Sequence, residues 1–280
     1  MERQLKFLAM IFVTGVVFAS QTMALPLDLA DVVGGGNGFG TGTPDTGIDP
    51  RTGSIVSGIT ATDNPGASNI YNSVAYSFVD GVFVPDGNVG GSSVMTQVSS
   101  TGLMAQFPNT DGNSWEQGIG YNSGSGNGNL RIDGTVTNVY SAPNSGLGFH
   151  SNKGITFDLA AIEAATGQRP ARYTGWVDVR VAASSHGDIG HHVLLDGVIT
   201  AEELNLRDDG SDAAFFDVAI PAGTRFLTLA GTTGPDVNYN GDAGIIGNPT
   251  LTLVPEPSTI CLFGLGAVGV VLLRLRGRKS

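Results

Sequence analysis

The chain has 280 residues, of which 41% are hydrophobic and only 14% are charged, and 42 are glycines. Many glycines combined with few charges favour a loop-rich β fold over a helical one. The formal net charge of −11 argues against a nucleic-acid partner, because phosphate binding requires clustered lysines and arginines. The single cysteine, Cys261, excludes an intramolecular disulfide and a cysteine-based zinc site.

Residues 1–24 have the features of a secretory signal peptide. Two basic residues precede an apolar run from Leu8 to Ala19, and small residues follow where a signal peptidase could cut. Both Ala19 and Ala24 fit the cleavage rule, and the sequence favours a cut after Ala24. A permanent N-terminal anchor helix is the alternative, but the short apolar run favours a signal that is removed.

Residues 25–50 are predicted to be an irregular lead-in to the folded domain. They are rich in Gly, Thr, Asp and Pro and contain few large apolar side chains. The stretch GGGNGFGTG, residues 34–42, is not followed by a helical pattern, so we assign it to a flexible connection rather than to a phosphate-binding loop. For Leu25–Val33, packing against the core is the alternative.

The body, residues 51–254, is predicted to form one β domain. Its short apolar runs are separated by Gly, Asn, Asp and Pro, and the pairs Asp80–Gly81 and Asp196–Gly197 indicate tight turns. One helix is predicted between Asp158, a good N-cap, and Gly167, a good C-terminal glycine. This pattern predicts an all-β fold, an antiparallel β-sandwich or jelly roll with one short helix.

A family resemblance supports this fold. The segment GLGFHSNKGITFDLAAIEAATG, residues 146–167, is followed by a Leu-Asp-Gly hairpin and by an Asp-containing loop before the last strand. In this order the three features resemble the NPCBM-type domain, over roughly residues 73–254. The resemblance implies a galactose-binding-like β-sandwich, found beside glycoside hydrolases and in secreted bacterial proteins, with carbohydrate binding as its role. It transfers no catalytic residue.

Three aromatic residues are candidates for sugar binding, because a flat ring can cover the apolar face of a pyranose. Trp115 lies in a polar loop, where an aromatic side chain is more suggestive of binding than in a strand. Trp176 shares the strand parity of Asp178 and Arg180, which places it on the outer face, with core packing as the alternative. Tyr121 is the third candidate.

The segment DVNYNGD is a candidate calcium loop. It places oxygen ligands at alternate positions with a glycine before the last, as in loops that bind hard cations. The candidate ligands are Asp236, Asn238, Asn240 and Asp242. The glutamate that completes an EF-hand is missing, because its position falls on Gly247. A calcium site that borrows ligands from elsewhere and a polar turn between two strands therefore both stay open.

The segment HGDIGHH contains residue types that bind transition metals, namely His186, Asp188, His191 and His192. Adjacent histidines in a strand point to opposite faces, so His191 and His192 cannot easily bind one ion together. Histidines in a loop and at a strand edge are therefore favoured over a metal site. No motif for nucleophilic catalysis is present, and most carboxylates lie in predicted turns, so we expect no enzyme activity.

The C-terminal segment, VPEPSTICLFGLGAVGVVLLRLRGRKS, has three parts in a fixed order. Pro255, Glu256 and Pro257 precede an apolar run of about 18 residues, close to the length that spans a membrane. A basic cluster ends the chain and consists of Arg274, Arg276, Arg278 and Lys279. By the positive-inside rule this cluster stays cytoplasmic, which predicts a transmembrane helix with the Pro-Glu-Pro on its outer side.

This order resembles the PEP-CTERM sorting signal, which we assign to residues 255–280. The resemblance implies that an exosortase, a membrane-embedded cysteine protease, processes the exported protein near the Pro-Glu-Pro. An ordinary single-pass anchor is the alternative.

Together these features predict a non-enzymatic β-sandwich protein that is exported to the cell surface or the extracellular matrix. The C-terminal helix would hold it in the membrane transiently, and the body would bind extracellular polysaccharide, with calcium as the one cofactor considered. The competing hypothesis is a structural or adhesive matrix protein without a specific ligand.

Overall fold

The computed structural model describes residues 24–57, 69–86, 95–110, 118–122, 128–180, 187–207, 210–235 and 241–255. In these residues the chain forms eighteen strands and two helices. The strands are β1 (Leu25–Asp28), β2 (Thr46–Ile48), β3 (Ile55–Ser57), β4 (Ile70–Ser73), β5 (Val79–Val84), β6 (Thr96–Gln97), β7 (Met104–Ala105), β8 (Ile119–Tyr121), β9 (Asn129–Ile132), β10 (Thr135–Asn138), β11 (Gly146–His150), β12 (Lys153–Asp158), β13 (Gln168–Val179), β14 (Asp188–Leu195), β15 (Val198–Arg207), β16 (Ala214–Ala219), β17 (Phe226–Thr233) and β18 (Ala243–Pro255). The helices are α1 (Leu29–Val33) and α2 (Leu159–Thr166).

Two antiparallel sheets pack face to face. The eight-stranded sheet has the order β16-β13-β18-β11-β8-β2-β3, and β1 also pairs with β18. The six-stranded sheet has the order β15-β14-β17-β12-β5-β4. The predicted all-β fold, an antiparallel β-sandwich, is therefore confirmed, and its longest strands, β13 and β18, are neighbours in the eight-stranded sheet.

The main core lies between the two sheets and takes apolar side chains from both. Tyr173, Val177 and Val179 of β13 point into it from one sheet, and Ile155 and Phe157 of β12 point into it from the other. Alternate residues of each strand face outward, as the two-residue period of a strand requires. Burying each of these large apolar side chains contributes about 1.5–3 kcal/mol to folding.

Each sheet also carries a small apolar cluster on its outer face. The β6–β7 hairpin supplies Ala105 to a cluster that covers Phe83 and Leu194 of the six-stranded sheet. The β9–β10 hairpin supplies Leu130 to a cluster that covers Ile245 of the eight-stranded sheet. These hairpins explain why outward-facing residues of the central strands are also buried.

The local predictions for the second half of the body are confirmed. Asp158 caps α2, because its side chain accepts a hydrogen bond from Ala161 N at 3.0 Å. Gly167 follows the helix in the left-handed conformation, with φ of 67°, and donates to Glu163 O. Asp196 and Gly197 join β14 to β15 with positive φ at both positions, as a type I′ turn requires.

The expectation of an irregular lead-in over residues 25–50 is corrected by the structure. This segment contains β1, α1 and β2, and Leu27, Leu29 and Val33 are completely buried in the main core. The packing of Leu25–Val33, which the sequence left as an alternative, therefore occurs. The composition was misleading because most of the few apolar residues of this segment reach the core, although Leu25 and Phe39 stay exposed.

A buried carboxylate orders the glycine-rich stretch 34–42, which the sequence assigned to a flexible connection. Asp31 of α1 is fully buried and accepts hydrogen bonds from Gly38 N at 2.7 Å and from Gly42 N at 2.5 Å. Gly36 and Gly42 pass so close to Asp31 that a Cβ at either position would lie less than 2.5 Å from one of its oxygens. The glycines therefore allow the loop to wrap around the buried side chain of Asp31.

The predicted turn at Asp80–Gly81 is wrong. Both residues lie inside β5, where the pairing with β12 contains an irregularity. Gly81 is needed there because the ring of Tyr71 covers it, and a Cβ would lie 2.4 Å from the Tyr71 hydroxyl. The Asp80 carboxylate accepts hydrogen bonds from that hydroxyl at 2.8 Å and from Ser100 N at 2.7 Å. A long-range contact thus replaces the expected turn.

The predicted signal helix and the predicted C-terminal membrane helix lie outside the described residues, apart from Ala24 and Pro255 at their borders. Among the residues that the structure does describe, no helix combines the length and apolarity needed to cross a bilayer.

Candidate functional site

An aromatic pair lies on the outer face of the eight-stranded sheet. Trp176 of β13 lies opposite Phe215 of β16, and their ring centroids are 4.8 Å apart at an interplanar angle of 47°. In the described part of the chain β16 is at the edge of the sheet, and Phe215 is 50% exposed. Trp176 is partly buried against the cluster under the β9–β10 hairpin. The predicted outer-face position of Trp176 is therefore observed, together with packing.

An ion pair lies beside these rings on the same face. Arg172 Nε and Nη2 both donate to the carboxylate of Asp217, Nε at 2.5 Å from Oδ1, which gives a bidentate pair. The hydrogen bond from Arg172 lowers the pKa of Asp217, so both groups are charged at neutral pH. Because both side chains are exposed, the pair has little value for stability. The N–H groups of Arg172 and the oxygen lone pairs of Asp217 that the ion pair does not use are accessible to solvent.

We call the residues Arg172, Thr174, Trp176, Phe215 and Asp217 the aromatic face. Alternate residues of two neighbouring strands build it, so its backbone is held by a continuous ladder from Arg172–Ala219 to Val177–Ala214. From Arg172 to Trp176 it extends about 13 Å along β13. Flat apolar rings beside paired donors and acceptors match the two surfaces of a sugar, its C–H face and its hydroxyl rim.

The other two aromatic candidates do not join this face. Tyr121 lies in β8 and packs against the main core, on the opposite side of the sheet from Trp176. Its ring covers Gly34, and burial raises the pKa of its hydroxyl. Trp115 lies outside the described residues. The structure therefore brings Trp176 together with Phe215, and not with Tyr121.

A second concentration of polar groups lies at the end of the sandwich where β11 joins β12. His150, Ser151, Asn152 and Lys153, the residues that carry part of the NPCBM resemblance, are all buried there. Lys153 Nζ lies 3.4 Å from His150 O. Burial, followed by the positive charges of Lys153 and Arg180, holds the pKa of His150 well below its usual value. We call this region the polar end.

Two carboxylates complete the polar end. Asp242 is fully buried and its Oδ1 accepts a hydrogen bond from Asp188 N at 3.1 Å. Asp188 in turn accepts a hydrogen bond from Arg207 Nη2 at 3.0 Å. Of the predicted calcium ligands only Asp242 is described, since Asp236, Asn238 and Asn240 lie outside the described residues. Within the described ranges, no three His, Cys, Asp or Glu side chains are grouped to hold a metal ion.

The histidines of β14 point to opposite faces, as predicted, but neither lies in a loop or at a strand edge. His191 lies in the main core, where its ring meets Phe149 edge-on and its Nε2 is 3.2 Å from Asp178 O. His192 points to the outer face of the six-stranded sheet, towards the cluster beneath the β6–β7 hairpin. Its ring meets Phe107 edge-on, and its Nε2 is 3.0 Å from Thr232 Oγ1. Burial lowers the pKa of His191 to about 4 and that of His192 to about 3.

The C-terminal motif starts at the last residues of β18. Val254 and Pro255 pair with Arg169 and Gln168 of β13, whereas Glu256, Pro257 and the basic cluster Arg274, Arg276, Arg278 and Lys279 lie outside the described residues. Residues 253–279 match the family model of the PEP-CTERM protein-sorting motif. The chain carries a PEP-CTERM sorting motif. This motif marks an exported protein that is directed to the cell envelope.

Solved structures similar to this chain include carbohydrate-binding domains. A CBM51 domain of Clostridium perfringens GH95, in complex with methyl-galactose, is 22% identical over 44% of this chain and 79% of its own, with a TM-score of 0.37. Tandem CBM51 modules of a family 98 glycoside hydrolase from Streptococcus pneumoniae are 20% identical over 45% and 35%, with a TM-score of 0.35. The CBM51-2 and INT domains of Clostridium perfringens ZmpB, in complex with GlcNAc, are 14% identical over 74% and 43%, with a TM-score of 0.38.

The chain spans less than half of the solved length in the last two of these structures. No curated protein matches the chain.

Sequence reasoning missed Phe215, Arg172 and Asp217. A signal for them exists: in AAFFDVAI the residues Phe215 and Asp217 share one strand face, as Arg172 and Trp176 do in RYTGWVDV. Two strands with polar and aromatic residues on the same face are candidates for neighbours. Which strands pair could not be read from the pattern, because β13 and β16 are separated by β14 and β15.

Proposed function

We propose that the protein is exported to the cell envelope, is processed there by an exosortase, and binds an extracellular polysaccharide on its aromatic face. The signal peptidase would remove residues 1–24, and the C-terminal segment would anchor the protein until it is processed. We propose no catalytic role, so the sandwich acts as a binding module at the cell surface or in the surrounding matrix.

One observation carries the binding part of this proposal: the half-exposed ring of Phe215 contacts Trp176 at a tilted angle, and the Arg172–Asp217 pair lies beside it on the same face. The ring of Phe215 offers an apolar surface and the bidentate ion pair beside it offers hydrogen-bonding groups, a combination that fits a ligand with both apolar and hydroxyl surfaces. The resemblance of the body to NPCBM-type domains supports the same ligand class, without naming the residues that bind.

Replacing Phe215 by alanine is expected to weaken binding to the recognised polysaccharide about tenfold, equivalent to ~1.4 kcal/mol. The physical reason is the loss of ring contact with the apolar face of a sugar. Phe215 is suited to the test because its side chain is half exposed, so its loss should barely affect folding. Binding would be measured by retardation of the purified protein in gels that contain single polysaccharides.

Val198→Ala is the matched control. Val198 is an exposed apolar residue, 68% accessible, on β15 of the other sheet, and its loss should leave binding unchanged. Equal affinity of the Phe215→Ala variant and the parent would remove the aromatic face from the proposal. A protein that is retarded by no polysaccharide would favour the structural or adhesive matrix role without a ligand.

A further inference from the structure

The two ends of the body lie side by side in the eight-stranded sheet. β1 starts at Leu25, directly after the favoured signal-peptide cleavage site, and pairs with β18 so that Leu25 is opposite Leu253. On the other side of β18, Gln168 of β13 is opposite Pro255. The N-terminus expected after signal removal is therefore next to the start of the sorting motif.

The C-terminal part of β18 is held from both sides as far as Leu253, and Val254 and Pro255 pair with β13 alone. Between Thr250 and Leu253 the strand pairs with β1 on one side and with β13 on the other. Leu251 and Leu253 are fully buried in the main core. A protease has to bind an extended segment through backbone groups that are not already engaged in a sheet. Residues 250–253 do not meet this condition while the sandwich is folded.

β1 depends on one side chain for its position. Leu27 is 0% exposed and belongs to the main core, whereas Leu25, on the same face of β1, is 41% exposed. Asp28 N also donates to Gly38 O at 2.9 Å, which links β1 to the loop around Asp31. Loss of Leu27 should therefore free one side of β18, and loss of Leu25 should not.

We propose that the folded sandwich sets the N-terminal limit of processing at the sorting motif: the cut falls after Pro255, and β1 docked on β18 maintains this limit. This inference rests on the proposed processing by an exosortase, and it specifies which peptide bonds the protease can reach. Folding of the body then precedes the processing step, because the protected strand is complete only when β1 and β13 are both paired with it.

The reaction at this position is hydrolysis of one peptide bond. The carbonyl carbon on the body side takes a hydroxyl from water and becomes the new C-terminal carboxylate. The nitrogen on the other side takes both hydrogens of that water and leaves as the terminal ammonium group of the apolar segment. The retained body keeps all thirteen residues of β18.

The test compares the parent chain with Leu27→Asp and with Leu25→Asp as its matched control, each expressed in cells that contain an exosortase. Intact mass of the mature protein gives both termini. We expect the parent and Leu25→Asp to end at or beyond Pro255 in a single form. Leu27→Asp should yield additional forms that end inside residues 248–254, at a level of roughly one tenth or more of the total.

Digestion of the purified full-length chain with a non-specific protease tests the N-terminal limit of cleavage without an exosortase. The same digestion replaces the comparison in cells if Leu27→Asp folds too poorly to be recovered. The resistant fragment should end at or beyond Pro255. A parent protein whose mature or resistant form ends within residues 243–254 would overturn the inference while leaving exosortase processing intact. Identical termini and yields for Leu27→Asp and the parent would overturn the role of β1.

A full-length C-terminus in every fraction is a different outcome. It would refute exosortase processing, and with it the processing limit, although the digestion could still show that β18 is protected to Pro255.

Discussion

Gly42→Ala is expected to lower the free energy of unfolding by about 3 kcal/mol, more than most single substitutions in a loop. A Cβ at this position would lie 2.3 Å from the backbone oxygen of Asp31 and 2.9 Å from its Oδ1. Either the loop moves away or the hydrogen bond from Gly42 N to the Asp31 carboxylate is lost. Both outcomes leave a buried carboxyl group with too few hydrogen bonds, which destabilises the folded state. Urea unfolding followed by tryptophan fluorescence would measure the loss.

Gly40→Ala is the control in the same loop. Gly40 has φ of 84°, and nothing lies within 4 Å of a Cβ built there, so its replacement costs only the backbone strain of about 1 kcal/mol. If the two variants lost the same stability, backbone conformation alone would explain the effect, and the close packing around Asp31 would not be its cause.

The lead-in shows where composition fails as a guide to order. Residues 34–42 look flexible because they are mostly glycine, yet each glycine next to Asp31 is there to let backbone reach a carboxylate. The hydrogen bond that orders the loop joins Gly42 N to the Asp31 carboxylate. These residues are eleven positions apart, so no local sequence pattern predicts the contact. Core packing of α1 was predicted from the sequence only as the alternative to an irregular segment. A helix of five residues is too short to show the hydrophobic periodicity by which helices are predicted.

Features that depend on neighbouring residues were predictable. The helix between Asp158 and Gly167, the Asp196–Gly197 turn and the opposite orientation of His191 and His192 all follow from local geometry. The turn prediction failed at Asp80–Gly81. An Asp-Gly pair is typical of a tight turn, but here the glycine is needed inside a strand because the Tyr71 ring lies over it, and the two cases have the same local sequence.

The candidate site divides in the same way. Strand parity placed Trp176 on the outer face, but its partner Phe215 comes from a strand that follows two others in the chain. The sorting motif was recognisable because its three parts are contiguous, and the family match to residues 253–279 confirms it. Its position next to β1 depends on pairing between the first and last strands of the sandwich, which the sequence pattern does not encode.

The buried histidines of β14 should make the protein sensitive to acid. Burial lowers the pKa of His191 to about 4 and that of His192 to about 3, from an ordinary value of 6.5. Between pH 6.5 and the lowered folded-state pKa of each histidine, the unfolded chain binds protons that the folded chain does not. The free energy of unfolding therefore falls as the pH falls below about 6.5. The loss stops growing once the folded-state histidines are protonated. From pH 6.5 to 5, each histidine contributes a loss of about 1.6 kcal/mol.

Urea unfolding at several pH values between 5 and 6.5 would measure the dependence, a range chosen so that most carboxylates stay ionised. Burial also lowers the pKa of His150, which adds to this loss, and raises the pKa of Asp28, which acts in the opposite direction because protonation is then easier in the folded state. The slope of the parent protein therefore mixes both effects, and a single-histidine variant separates them.

His192→Gln removes one titrating group, and its amide can still hydrogen-bond to Thr232. Its free energy of unfolding should depend on pH less steeply than that of the parent, by up to one proton or ~1.4 kcal/mol per pH unit. The slope is the decisive quantity, because a purely structural loss would lower stability equally at every pH. An unchanged slope would mean that His192 binds protons equally in the folded and unfolded states. That result would require the ring to leave its contact with Phe107 or to pair with Glu202, whose Oε2 is 3.3 Å from Nδ1.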